Sequence, residues 1–301
     1  MGRLRLLPIL LPAVLLSACS PKAYVVSRVA DAVSSGGEVF ARDDDPDLVR
    51  DATPFGLKAM ESLLSERPEH KGLLTALCGG FTQYAVAFVR QDAEEARDPA
   101  MRRGGMERVV RLLLRAKAYG VRGLAVGREG FAERLRTDPA GAAATVGMED
   151  VPLLYWTSAA WSAAVASSPG DPALLADLPR CEALMRRALA LDERFGDGAI
   201  HEYFVAFEGS RPEAMGGSVA KARRHFERAM ELSRGRKVSP LVTFAETVSV
   251  RTQNRKEYLD LLDRALAFDA RGGAPEYRLS NLVAQRRARW LKGKADALFI
   301  E

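Results

Sequence analysis

From residue 46 onward, apolar residues recur at intervals of three and four along nearly the whole chain, and that rhythm admits one fold class. Side chains three and four apart share one face of a helix, so each such run buries a single stripe. The period-two alternation and β-branched runs that mark strands are almost absent. Leu57, Met60, Leu63 and Leu64 lead up to Pro68, and Val109, Leu112, Leu113, Ala116 and Tyr119 lead up to Gly120. Leu184, Met185, Ala188, Leu189 and Leu191 precede Gly196, and Phe226, Ala229, Met230 and Leu232 precede Gly235. Leu259, Leu261, Leu262, Ala265, Leu266 and Phe268 precede Gly272 and Gly273. Each run predicts a helix stopped by the proline or glycine after it.

A second regularity links these helices. Cys181-x3-Met185-x2-Ala188, Ala222-x3-Phe226-x2-Ala229 and Tyr258-x3-Leu262-x2-Ala265 share one internal spacing, with weaker copies at Gly56-x3-Met60-x2-Leu63 and Val109-x3-Leu113-x2-Ala116. The pattern resembles the second helix of a tetratricopeptide (TPR) repeat, where a small residue lets the neighbouring helix approach and a bulky one fills the gap. The steps from Ala188 to Ala229 to Ala265 are near repeat length but irregular, and any one of these helices would also suit an ordinary bundle. The reading is therefore all-α: a TPR-like α-solenoid of stacked helix pairs with irregular insertions, spanning residues 46–301 as a single domain. The longest interruption, about residues 137–177, holds a helix-like run from Pro152 to Trp161. Pro152 suits a first turn, with Asp150 as an anionic neighbour near its start.

The N-terminus reads differently. Arg3 and Arg5 precede an apolar run from Leu6 to Leu16, broken by Pro8 and Pro12 and too short to span a bilayer. Leu16-Ser17-Ala18-Cys19 resembles a bacterial lipobox. That predicts a signal peptide at 1–18, lipidation on Cys19, and a tether and lead-in at 19–45; the alternative is a plain secretory signal with a coincidental cysteine. Acyl chains bury about 0.8 kcal/mol per methylene, enough for stable anchoring when there are several chains. The expected product is a periplasm-facing membrane lipoprotein, with Ser20 favouring the outer membrane over the inner. No later apolar segment is expected to reach spanning length. Cys78 and Cys181 each sit in an apolar helical pattern, which favours two separate buried thiols over a bridge, although the periplasm can oxidise a pair. The net charge of +5 comes from bases interspersed with acids, as in Glu182 to Arg187 and Lys221 to Arg228. Those are solvated helix faces rather than a nucleic-acid groove.

No catalytic constellation stands out. His70, His201 and His225 lie in different helical segments, and the second histidine that His201-Glu202 would need for a zinc motif is Val205. There is no G-x-S-x-G elbow or Walker loop; the glycines of Arg122 to Gly127 have no preceding strand and no Lys-Ser/Thr. No glutamate stands in a lysozyme-like context. The chain reads as non-catalytic, with no cofactor and no metal; a cell-wall enzyme is the weakest of three readings.

Several segments, in order, resemble the T component associated with tripartite ATP-independent periplasmic (TRAP) transporters. They are Asp43 to Asp51, Gly80-Phe81-Thr82-Gln83-Tyr84 with Phe88-Val89, Tyr155-Trp156-Thr157 with Ala159-Ala160-Trp161, His201-Glu202-Tyr203, Ser210 to Ser218, and Ala284 to Leu291. The resemblance implies a TPR-like lipoprotein that forms a homotrimer and partners a periplasmic TRAP substrate-binding protein. It also implies a cleft or pore passing an apolar, organic-acid-like ligand. A general TPR scaffold in envelope assembly is the alternative.

The same segments supply the candidate ligand- or partner-binding residues: Phe81, Tyr84, Trp156, Arg211, Arg286 and Arg287. Phe81, Tyr84 and Phe88 form an aromatic stripe that is either core or ligand-lining. Trp156 and Trp161 are five apart, roughly 140° around a helix, so they cannot share one seam. Gly209 to Ser218 begins with a helix-stop glycine and a Ser210 cap before Pro212, and reads as a tight connection or a ligand- or partner-facing loop. In the last helix Leu279, Leu282, Val283, Trp290 and Leu291 define an apolar stripe with Arg286 inside it and Arg287 at its border. A guanidinium there needs hydration or a partner: either a carboxylate such as Glu246 or Asp263, or an anionic ligand held bidentately.

Overall fold

A computed structural model describes Ala30 and residues 37–300; Cys19 and the signal segment lie outside the described residues. Among these, the regular structure is helical and contains no strand. After a lead-in turn at Gly37–Ala41 come α1 (Pro46–Glu66), α2 (Lys71–Glu95) and α3 (Pro99–Ala125), then the short α4 (Phe131–Thr137) and α5 (Pro139–Ala144). Next are α6 (Val151–Ala166), α7 (Leu178–Leu191), α8 (Ala199–Gly209), α9 (Val219–Leu232), α10 (Ser239–Phe244, continued by a π turn over Ala245–Ser249), α11 (Arg255–Ala267) and α12 (Arg278–Lys292). The starts follow capping chemistry. Asp45 accepts from the Asp47 and Leu48 amides at 3.0 Å ahead of Pro46, and Asp98 accepts from the Ala100 amide at 2.8 Å ahead of Pro99.

Two expectations are corrected here. Gly120 does not stop α3, which runs on to Ala125; the glycine marks a helix crossing instead. A Cβ on it would lie 2.9 Å from both Cys78 Sγ and Thr157 Cβ, so its bareness lets α2, α3 and α6 meet. And one later segment does reach spanning length: α2, at 25 residues, is long and apolar enough to cross a membrane by composition. Its Leu73, Leu74, Leu77 and Cys78 are fully buried against the neighbouring helices, which accounts for that apolarity.

The shared spacing behaves as expected where it is strongest. Cys181, Met185 and Ala188, Ala222 and Ala229, and Tyr258, Leu262 and Ala265 are all buried, with Phe226 packed against them. Val109, Leu113 and Ala116 also have no exposed surface. The α1 copy fails: Leu57 and Leu64 are the buried residues there, and nothing lies close to Gly56. Cys78 and Cys181 are separate buried thiols, pushed up to about 12 by burial.

Most helices pack against a neighbour in the chain, α2 on α3, α6 on α7, α8 on α9, α10 on α11 and α11 on α12, and α3 packs on α6 across the short α4 and α5. Contacts between alternate helices advance in step, so α2, α6, α8, α10 and α12 run in one direction. Lys71 and Gly79 of α2 meet Asp150 and Trp156 at α6. Tyr155 and Ser162 of α6 meet Phe195 and Tyr203 at α8. Glu202 and Gly209 of α8 meet Ser239 and Thr247 at α10. Val238 and Glu246 of α10 meet Asn281 and Arg287 of α12. The row then closes on itself, because Arg286 and Arg287 reach Asp92, Glu95, Gln91 and Glu94 at the end of α2.

Candidate functional site

This ring of helices lines a partly open cavity of about 1380 Å³, larger than the usual 300–1,000 Å³ ligand cleft. Its wall is apolar because the inner helices are apolar on two sides. In α6, Leu154, Ala160 and Trp161 are buried in the protein interior while Trp156, Ala159 and Ala163 face the cavity. In α8, Tyr203, Ala206 and Phe207 line it. Trp156 can lie flat against α2 because residue 79 is glycine, where a Cβ would come within 3.1 Å of the indole. Tyr155 meets Trp156 edge-on at 4.9 Å, and Tyr203 stacks on Phe207 at 5.5 Å.

Polar groups interrupt this wall in a few places. The Tyr203 hydroxyl shares hydrogen bonds with Ser158 and Ser162, at 3.1 and 2.7 Å. Burial pushes the Tyr203 phenol up; the Tyr155 phenol is pushed up by burial first and then by the Glu202 carboxylate. Glu202 accepts from the Ser239 and Thr243 hydroxyls at 2.9 and 3.2 Å. Arg90 and Glu246 both sit in π turns, Ala85–Arg90 and Ala245–Ser249, on the cavity wall. Such single-turn π segments occur often at functional sites, and the apolar spacing carries no sign of them. Burial raises the Glu246 carboxyl, but the Arg287 guanidinium outweighs it and holds the group below its usual range.

The six candidates separate. Tyr84, Trp156, Arg211 and Arg287 line the cavity; Phe81 and Arg286 do not. Phe81 turns away from Tyr84 and Phe88 to stack on Tyr119 at 6.0 Å under the Arg115 guanidinium. Arg286 pairs with Asp92 at 2.7 Å and Glu95 at 2.6 Å. Arg287 is held by Glu94 and Glu246 and stacks over Trp290 at 4.4 Å. Glu246 is thus the carboxylate partner anticipated for the last helix, while Asp263 pairs with Lys292. The tryptophans diverge as their spacing requires: Trp161 is buried and donates to Asp177 at 2.8 Å. Of the other residues that line the cavity, Glu202, Tyr203 and Met215 lie in segments that drew attention without being singled out as site residues, and Phe207 lies between two such segments.

Arg211 closes one end of the cavity. Its guanidinium stacks on Phe207 at 3.7 Å, and it donates to the Phe207 carbonyl at 2.8 Å and the Met215 carbonyl at 3.2 Å. The loop after α8 does both things expected of it. It is tight, since a Cβ on Gly217 would strike the Arg211 backbone, and it also lines the cavity through Ser210 to Pro212 and Met215. Ser210 is not an N-cap; it follows the end of α8, and Ser218 caps α9 by accepting from the Lys221 amide at 3.3 Å.

His201 turns away from Glu202 and the cavity. Its Nδ1 lies 2.8 Å from His225 Nδ1 and its Nε2 lies 3.2 Å from Glu193, which Arg228 holds in turn at 2.8 Å. Asp150 serves less as a cap than as a bridge: its buried carboxylate accepts from Lys71 at 2.9 Å and Arg128 at 2.6 Å.

Comparison with known proteins gives two results. The chain is 30% identical over 274 residues to an uncharacterized protein of Treponema pallidum (strain Nichols), covering 87% of this chain and 83% of that one. Residues 42–299, which include every wall of the cavity except Phe40 and Ala41, match the family described as the TRAP transporter T-component. The chain therefore belongs to the TRAP transporter T-component family.

Proposed function

We propose that this chain is a lipid-anchored, periplasm-facing accessory of a TRAP uptake system that holds an apolar ligand inside its ring of helices and exchanges it with a substrate-binding protein. Family membership supports the transport setting. The observation that carries the ligand role is the cavity of about 1380 Å³ walled by Trp156, Phe207, Tyr203 and Val242. Water in such a space is poorly held, so an apolar guest gains by displacing it. Recognition rather than chemistry is the reading for the whole chain, in keeping with membership of a transporter-component family. Helix pairs in the TPR manner, a homotrimer and Cys19 acylation belong to the same reading. The general scaffold reading is disfavoured by the contact of α12 with α2, which brings the two ends of the row of inner helices together.

The test is direct titration of the delipidated protein with a fluorescent apolar probe, followed in the wild type and in Trp156→Ala. Saturable binding that Trp156→Ala weakens supports the cavity as the site; a probe that binds both proteins alike, or neither, removes it. Native mass spectrometry reads the trimer, and mass analysis of the membrane-purified protein and of Cys19→Ala reads the acyl group.

A further inference from the structure

The cavity is polar in a directional way. At its far end, where the parallel inner helices finish, lie Arg90, Arg211 and Arg287. Two of these are neutralised by the protein: Arg287 by Glu94 and Glu246, and Arg90 by Glu94, 3.8 Å away. Arg211 has no carboxylate within ion-pair distance among the described residues; its partners are two backbone carbonyls and the Phe207 ring. Those bonds use Nε and one Nη1 hydrogen, so the Nη2 side of the fork remains unused. At the opposite end, level with the start of α10, Glu202 is likewise without a cation. It is fixed by the Ser239 and Thr243 hydroxyls and lies close enough to Tyr155 to push that phenol up. Between the two charges the wall is Trp156, Tyr203, Ala206 and Phe207.

We infer that the cavity takes a monoanionic amphiphile in one orientation, its acid head on Arg211 and its chain running towards Glu202, and that Glu202 rejects a second anion at the tail. The inference rests on the cavity being the ligand site. An isolated positive charge at one end of an apolar space attracts one carboxylate, and an isolated negative charge at the other makes a dicarboxylate of matching length unfavourable. Glu94 and Glu246 repel an acid from Arg90 and Arg287, which leaves Arg211 as its point of contact.

Three twelve-carbon probes separate the contributions: dodecanoate, dodecanol and dodecanedioate, titrated below micelle-forming concentrations into the wild type, Arg211→Gln and Glu202→Gln. The wild type should bind dodecanoate about tenfold more tightly than dodecanol, the scale of one charge-assisted contact, and dodecanedioate more weakly than dodecanoate. Arg211→Gln should abolish the preference for dodecanoate over dodecanol while dodecanol still binds saturably, a result that loss of fold would not give. Glu202→Gln should strengthen dodecanedioate alone. A preference for dodecanoate that survives Arg211→Gln, or a rejection of dodecanedioate that survives Glu202→Gln, overturns the inference while the cavity stands. Failure of all three probes to bind the wild type overturns the cavity reading itself.

Discussion

Asp150 and His225 show what single residues contribute beyond the cavity wall. Asp150 is buried and joins Lys71 to Arg128, so it ties the start of α2 to α6 and to the turn after α3. Its removal strands two cations at a helix junction, and Asp150→Ala should lower stability by about 2–3 kcal/mol in urea denaturation. A loss under about 0.5 kcal/mol, ordinary for a surface change, would contradict the role. His225 and His201 approach through their Nδ1 atoms, an arrangement that holds only while one ring supplies the proton and the other accepts it. Burial first, then the neighbouring His201, lowers His225 from 6.5 to about 4. Between those values the unfolded chain binds the proton more tightly than the folded one, so stability falls as pH drops from 6.5 towards 4. Thermal midpoints of His225→Gln should fall less steeply across that window than those of the wild type; parallel curves would remove the pair as a pH-sensitive element. The histidines were visible in the sequence, but their pairing was not, because it depends on α8 and α9 crossing with Phe204 stacked on His225 at 4.9 Å.

At the scale of helices, apolar spacing announced α1, α2, α3, α6, α7, α9, α11 and α12 but not α4, α5, α8 or α10, and the errors came from residues with two meanings. Glycine after an apolar run signals an ending, as at Gly196 and Gly235, both with positive φ. At Gly120 the same signal marks a close crossing inside α3. Gly120→Ala should therefore cost about 2 kcal/mol, whereas Gly104→Ala, on the same helix with nothing within 4 Å, should be neutral or stabilising by up to about 1 kcal/mol. Equal effects of the two alanines on the melting temperature would contradict that crossing. The aromatic stripe of α2 misled for a related reason. Phe81, Tyr84 and Phe88 suit one face of a regular helix, yet the helix is shared between α3 on one side and the cavity on the other. Phe81 belongs to the first and Tyr84 and Phe88 to the second. The π turns, which bring Arg90 and Glu246 to the wall, have no periodic signature at all.

For the molecule as a whole, the feature that could not be read locally is closure. Stacked helix pairs left open would present a groove; here α12 returns to the end of α2 and puts a wall on both sides of that groove. The arginines of α12 were legible as residues out of place in an apolar stripe, and their need for partners was clear, but acids some 190 residues earlier in the chain could not be named. The two contribute unequally. Arg286→Met should cost under about 1 kcal/mol, since the pair is partly exposed. Arg287→Met leaves Glu246 without its ion-pair partner beside the cavity and Glu94 with Arg90 alone, 3.8 Å away, and should cost about 3 kcal/mol, with faster amide exchange in α12. Equal losses would argue against Arg287 as the main closing contact. The central claim, that this ring lines a space built for an apolar guest, is tested most directly by diffraction from crystals soaked with a bromine-tagged alkyl chain. The account predicts an anomalous bromine peak inside the ring, between Trp156 and Phe207. Bromine found only on the outer surface of the helices, with the interior filled by ordered water, would contradict it.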